Sequence, residues 1–328
     1  MDPEMLQTIP QTVSMDDVFA AAARIAPYLP ETPLVQHPAF ADSLGVDAWL
    51  KLETTQPTGA FKVRGGVNFM AAQSAELRER GVITASTGNH GQSIAYGARL
   101  FGVPATIYAP TNANPFKVEA MRVMQADVRL EGEDFQASVD HAHNAARTEG
   151  RRFVSTGDEP LLIAGVATCA LEALARRNFD VVLLPAGGGS IAAATALVVK
   201  SVQPDCQVIA VSSAQAPAAH DAWHRRAHVR YDAQTTLAEG LAVRESFDLP
   251  QSIMAEHLDD FVLVDDTELV AALRFLAQHA HQLAEPSGCA GLAYLLRNRL
   301  EFRRLSVLLP ITGANIPFEL LVRYLSES

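Results

Sequence analysis

Short apolar runs of strand length alternate along this chain with longer stretches in which apolar side chains recur every three or four positions. In the first half, residues 48–51, 81–85, 105–109 and 127–131 read as strands, and residues 65–80, 92–101, 115–125 and 134–149 as helices. Gly102 closes the second of these helices. The second half repeats the alternation, with helices expected over 168–177, 190–202, 266–281 and 288–299, and strands over 181–184, 206–212 and 305–310. Strands that alternate with helices in this way indicate an α/β protein built on parallel sheets. No internal repeat, low-complexity tract or long linker interrupts the pattern. Two α/β domains with a ligand cleft between them are the simplest expectation.

Composition narrows the class. The chain has 328 residues, 48% hydrophobic and 19% charged, enough for one large or two medium buried cores. Its net charge of −11 opposes a phosphate backbone, which argues against a nucleic-acid partner. Cys169, Cys206 and Cys289 are odd in number and far apart, which suits a reducing cytosol better than a disulfide framework. The first fourteen residues lack the apolar core of a signal peptide. The longest apolar runs are broken by glycines and Ser190, so none spans a bilayer. A soluble, cytoplasmic protein without a membrane partner is expected.

Three glycine-bearing stretches carry the candidate chemistry. Lys62 lies in Pro57-Thr58-Gly59-Ala60-Phe61-Lys62-Val63-Arg64-Gly65-Gly66. Ser86-Thr87-Gly88-Asn89-His90-Gly91 joins a strand to a helix, where free N–H groups and the helix dipole favour an anion. Ala186-Gly187-Gly188-Gly189-Ser190 does the same, and its glycines let backbone N–H groups converge on a phosphate. It lacks the Gly-Lys-Ser/Thr of a Walker loop and the spacing of a dinucleotide fingerprint. Taken singly, each has a plain structural reading: a solvated lysine at a helix start, a capped helix with Asn89 in a left-handed turn, a glycine turn without ligand. His220, His224 and His228 would share one helical face, but Arg225, Arg226 and Arg230 stand among them and would repel a metal.

Together, in this order, the stretches resemble the fold-type II pyridoxal 5'-phosphate enzymes, in particular the serine/threonine dehydratase and serine racemase branch. The resemblance runs from about residue 32 to 315. It implies two open twisted α/β domains, a smaller one (47–149) inserted in a larger one (1–46 and 150–328), with the cofactor in the cleft between them. It implies that Lys62, beside Phe61, forms a Schiff base with pyridoxal 5'-phosphate and later acts as base and acid at the substrate α-carbon. The substrate carboxylate would meet the main chain around Ser86, Thr87, Gly88 and His90. Asn89 would face the ring hydroxyl, Gly187, Gly188, Gly189 and Ser190 the phosphate, and Thr312 the pyridine nitrogen. A neutral hydroxyl at Thr312 leaves the ring a weaker electron sink than a carboxylate would, which favours β-elimination over transamination.

The implied reaction is the dehydration and deamination of a β-hydroxy amino acid, serine or threonine by default, to a 2-oxo acid and ammonia. A bulkier substrate such as 3-hydroxyaspartate or phenylserine stays open. So does a racemase, with Thr87 acting on the face opposite Lys62, or a β-replacement enzyme. A silent cofactor-binding protein is the reading from another class. Several positions depart from the family: Ala60 stands where serine is common, Ser190 replaces a fourth glycine, and the Ala-Gly-Gln-Gly-Thr motif reads Ala164-Gly165-Val166-Ala167-Thr168. The stretch from Ser212 to Ala218 has no carboxylate, so no metal site is expected there. A possible homodimer is expected, and the few residues after Thr312 leave no room for a regulatory domain, which suggests a catabolic or specialised role.

Overall fold

The computed structural model describes residues 12–326; the leader-free reading of the first eleven positions lies outside them. The chain opens with α1 (Met15–Ile25), β1 (Leu34–Val35), α2 (Pro38–Leu44), β2 (Asp47–Leu52), α3 (Lys62–Ala71) and α4 (Ala75–Arg80). Then follow β3 (Val82–Ala85), α5 (Asn89–Phe101), β4 (Ala105–Ala109), α6 (Pro115–Val123), β5 (Asp127–Leu130), α7 (Phe135–Glu149) and β6 (Arg152–Phe153). The second half contains α8 (Pro160–Leu174), β7 (Val181–Pro185), α9 (Ser190–Val202), β8 (Gln207–Ser213), α10 (Ala218–Arg225) and α11 (Asp248–His257). It ends with β9 (Asp260–Val264), α12 (Asp266–Ala280), α13 (Ala290–Asn298), β10 (Ser306–Ile311) and α14 (Phe318–Ser326).

The strands form two sheets. Six are ordered β1-β2-β10-β7-β8-β9, all parallel except the β1 edge, and four are ordered β5-β4-β3-β6, all parallel. Helices cover both faces of the larger sheet, so its central strands are apolar throughout. On β7, Val182 and Leu184 enter the core shared with α8, α9 and α11, while Val181 and Leu183 enter the core shared with α12 and α13. Asp47–Leu52, expected at the start of the smaller unit, pairs instead with β10 in the larger sheet, and Arg152–Phe153 joins the smaller one.

Two of the expected helices are laid out quite differently. The helix read over 65–80 is two helices, because the Ser74 hydroxyl accepts the Leu77 N–H and starts α4 afresh. The helix read from residue 168 begins at Pro160, with the Glu159 carboxylate accepting the Leu161 N–H. Buried over most of its surface, α8 shows no amphipathic period to mark its start. The Ala164–Thr168 stretch, which departs from the family motif, lies inside this helix. Among the described residues no helix is long and apolar enough to cross a membrane.

Candidate active site

Strands β3, β7 and β10 all end towards one region, the side of a parallel sheet where ligands usually lie. The start of α3 is held there from two directions. Phe61 donates its N–H to the Thr312 carbonyl at 3.0 Å, and the Ser93 hydroxyl donates to the Lys62 carbonyl at 2.8 Å. The glycines after Lys62 let its helix lie against its neighbours: a Cβ on Gly66 would stand 2.2 Å from the Ser93 carbonyl of α5. Lys62 is therefore fixed at its base while its amine projects across to α9. Nζ donates to Ser190 Oγ at 3.2 Å and lies 5.2 Å from the Phe61 ring centre. Burial without a carboxylate partner brings its pKa down from 10.5 to about 8.

The turn after β3 is braced by Ser86, whose Oγ accepts the N–H groups of Gly88 (3.1 Å) and Gly91 (2.9 Å). The Gly88 amide, expected to face a substrate, is thus turned inward. The first helical residues, Asn89 and His90, keep N–H groups that a helix cannot satisfy internally. The His90 side chain is buried and held against β3. Thr84 Oγ1 donates to the Val154 carbonyl at 2.7 Å and lies 2.9 Å from His90 Nε2, so that nitrogen carries the proton. Burial, with the nearby Lys62 charge, pushes the His90 pKa down to about 3, and the ring is neutral. Thr87 is partly buried in the turn.

Asn89 is oriented by two residues that the sequence reading missed. Its Nδ2 donates to Glu285 Oε1 at 2.7 Å, and its Oδ1 accepts from Asn315 Nδ2 at 2.7 Å. Asn315 is itself anchored on the Thr58 carbonyl at 2.8 Å, and the Glu285 N–H donates to the Gly313 carbonyl at 2.9 Å. Burial raises the Glu285 pKa above its ordinary value. Nothing local in the sequence marks these partners, which come from some 200 residues downstream of Asn89.

The third wall is the loop before α9. Its N-cap, Gly189, has φ +87° and supplies no side-chain cap, so the first amides of α9 stay open. The opposite side of the loop is closed to side chains: a Cβ on Gly187 would meet the Gly240 carbonyl at 2.1 Å. Ser190 is buried at the helix start, and Thr312 is buried just past β10. The residues expected to act together are thus brought to the facing ends of α3, α5, α9 and β10. The histidine trio is not: His220 and His224 lie on α10, while His228 follows the left-handed Arg226 and pairs with Glu245 at 2.9 Å. Among the described residues, no group of three or more His, Cys, Asp or Glu side chains could hold a metal ion.

A family model described as pyridoxal-phosphate dependent enzyme matches residues 25–313. The chain belongs to this family. Pyridoxal phosphate is its cofactor and fold-type II its architecture. The family member L-threonine ammonia-lyase of Thermotoga maritima is 33% identical over 316 residues, 96% of this chain and 79% of the relative. L-threo-3-hydroxyaspartate ammonia-lyase of a Pseudomonas species is 32% identical, with 94% of this chain and 97% of the relative covered. Maize serine racemase superposes with a TM-score of 0.90 at 27% identity, covering 95% of this chain and 96% of that one.

Proposed function

We propose that the protein is a pyridoxal-phosphate ammonia-lyase that dehydrates and deaminates a β-hydroxy amino acid, with Lys62 as the residue that holds the cofactor and moves the α-proton. The observation that carries this reading is the Lys62 amine, lowered to a pKa of about 8 and directed at Ser190 on the open start of α9. An amine of that pKa is both a usable nucleophile and a base near neutral pH. The open amides and glycine wall before α9 suit a phosphate. When bound, the cofactor supplies the electron withdrawal that acidifies the substrate α-carbon.

The remaining work falls to the protein. The Asn89 and His90 amides, with the Ser86 hydroxyl, bind the substrate carboxylate. Asn89, held by Glu285 and Asn315, keeps one amide hydrogen for the ring hydroxyl. Thr312 offers the ring nitrogen a neutral hydroxyl, which favours departure of the β-hydroxyl together with the α-proton. Thr87 restrains the substrate, its β-branched side chain having few rotamers.

We also assign the protein to the cytoplasm, supported by three buried free cysteines, and to a homodimer, supported by exposed apolar residues such as Phe318, 71% exposed, on α14. The smaller domain is proposed to run from after Leu52 to Phe153, where the sheets divide.

The decisive experiment treats the holoprotein with borohydride, maps the labelled peptide, and assays a panel of β-hydroxy amino acids for 2-oxo acid and ammonia. The label falls on Lys62 and at least one substrate releases both products. Inversion of serine or threonine that outruns 2-oxo acid release, and is lost in Thr87→Ala, would make the protein a racemase instead.

A further inference from the structure

Lys117 has no part in the site as described above, yet its ammonium sits against it. It enters from α6, and Nζ lies 3.6 Å from where a Cβ on Gly88 would stand. Its side chain is only 5% exposed and pairs with the Glu239 carboxylate, whose side chain is 46% exposed. Glu239 begins a short 3-10 turn, and the next residue, Gly240, packs its carbonyl against Gly187. The ion pair therefore bridges the carboxylate turn and the glycine loop. Glu285 senses both partners: beyond the dominant effect of its burial, Lys117 lowers its pKa and Glu239 raises it.

Two features of this pair point beyond structure. An ammonium has three donors, and Glu239 is the one acceptor found for Lys117 among the described residues. A cation this deeply buried needs a carboxylate, but half of the one it has faces solvent, so the partner is exchangeable. The α-carboxylate is already served by the α5 amides, which leaves this extra positive charge for a second anionic group. We propose that Lys117 determines specificity by binding the side-chain carboxylate of a β-hydroxy dicarboxylic amino acid, of the 3-hydroxyaspartate class, in exchange for Glu239. This rests on the ammonia-lyase reading. A neutral substrate such as threonine leaves the Lys117–Glu239 pair intact, whereas a dicarboxylate replaces Glu239 and preserves the local charge balance.

The test compares wild-type holoenzyme with Lys117→Gln and Glu239→Gln on threonine and threo-3-hydroxyaspartate. Lys117→Gln lowers the kcat/KM ratio of hydroxyaspartate to threonine by about tenfold or more, the scale of one charge-assisted hydrogen bond. Glu239→Gln raises that ratio, because it removes the competing carboxylate. If both variants depress the two substrates equally, the pair is only a clasp between sheets and the proposal is overturned. Calorimetric titration of the three holoproteins with succinate and with propionate gives a readout without turnover. A preference for succinate, weakened in Lys117→Gln and strengthened in Glu239→Gln, supports the site, and its absence from all three overturns it. Failure of wild type to turn over either amino acid would instead sink the ammonia-lyase reading while leaving the succinate result to decide the role of Lys117. Should Lys117→Gln fail to fold, Glu239→Gln, altered at a half-exposed position, still decides by the sign of its effect.

Discussion

At neutral pH the usefulness of Lys62 depends on how much of its amine is unprotonated. With a pKa of about 8, roughly one amine in ten is free at pH 7, against about one in three thousand for an ordinary lysine. The same desolvation that makes the amine reactive is a cost to folding. The unfolded chain binds this proton more tightly than the folded one, so stability rises with pH between about 8 and 10.5 and is lowest below 8. In cofactor-free protein, Lys62→Met should therefore raise the melting temperature at pH 7 while abolishing turnover of the reconstituted enzyme. The gain should shrink as the pH climbs from 8 to 10. Thermal unfolding across that range checks it, and a loss of stability at pH 7 would mean that the amine is well solvated.

Helices and strands were legible to the extent that their environment is asymmetric or punctuated. The strands at β3, β4, β7 and β10 could be read because each is a short, mostly apolar run ended by Ser, Pro or Thr. The beginning of α8 could not, since a helix buried on nearly every side has no polar face to set its period. Gly165 in that helix illustrates the difference between local and tertiary information. By propensity alone, Gly165→Ala would stabilise α8 by about 1 kcal/mol. In the fold, a Cβ there would stand 2.6 Å from the Arg64 carbonyl and 2.8 Å from the Gly65 Cα of α3. Overpacking of this kind costs about 1–3 kcal/mol, and it falls on backbone that cannot rotate aside. The expected result is net destabilisation, with a lower urea midpoint and weaker cofactor retention, because α3 carries Lys62. A raised midpoint would show that α3 and α8 do not approach so closely.

Across the whole molecule, the lysine is held by charges that looked unrelated in the sequence. Lys51, Glu53 and Glu172 lie in no motif, and Arg64, although it stands in the lysine stretch, has no role of its own in the sequence pattern; the four are scattered over about 120 positions. The fold gathers them into one buried network. Arg64 Nε meets Glu53 Oε2 at 2.7 Å, Arg64 Nη1 meets Glu172 Oε1 at 2.5 Å, and Lys51 Nζ meets Glu172 Oε2 at 2.5 Å. The Thr32 hydroxyl donates to Glu53 Oε1 at 2.6 Å, and Arg64 Nη1 donates to Thr168 Oγ1 at 3.1 Å. Two cations and two anions thus balance with hydrogen bonds to spare, joining β2, α3 and α8 two residues beyond Lys62. Burial alone would raise the Glu53 pKa, but Arg64 and Thr32 hold it below 4.5. A carboxyl whose folded pKa is depressed contributes stability above its unfolded value and loses it as the pH falls through the folded one. Glu53→Gln leaves Arg64 buried with one fewer negative partner, so it should cost about 3–5 kcal/mol at pH 7. The difference from wild type should narrow as the pH drops below 4.5, where wild type protonates Glu53 and loses the same interaction. Guanidinium unfolding at pH 7 and at several acid pH values measures both effects. A variant as stable as wild type at pH 7, or a gap independent of pH, would show that the network does not secure the helix that presents Lys62.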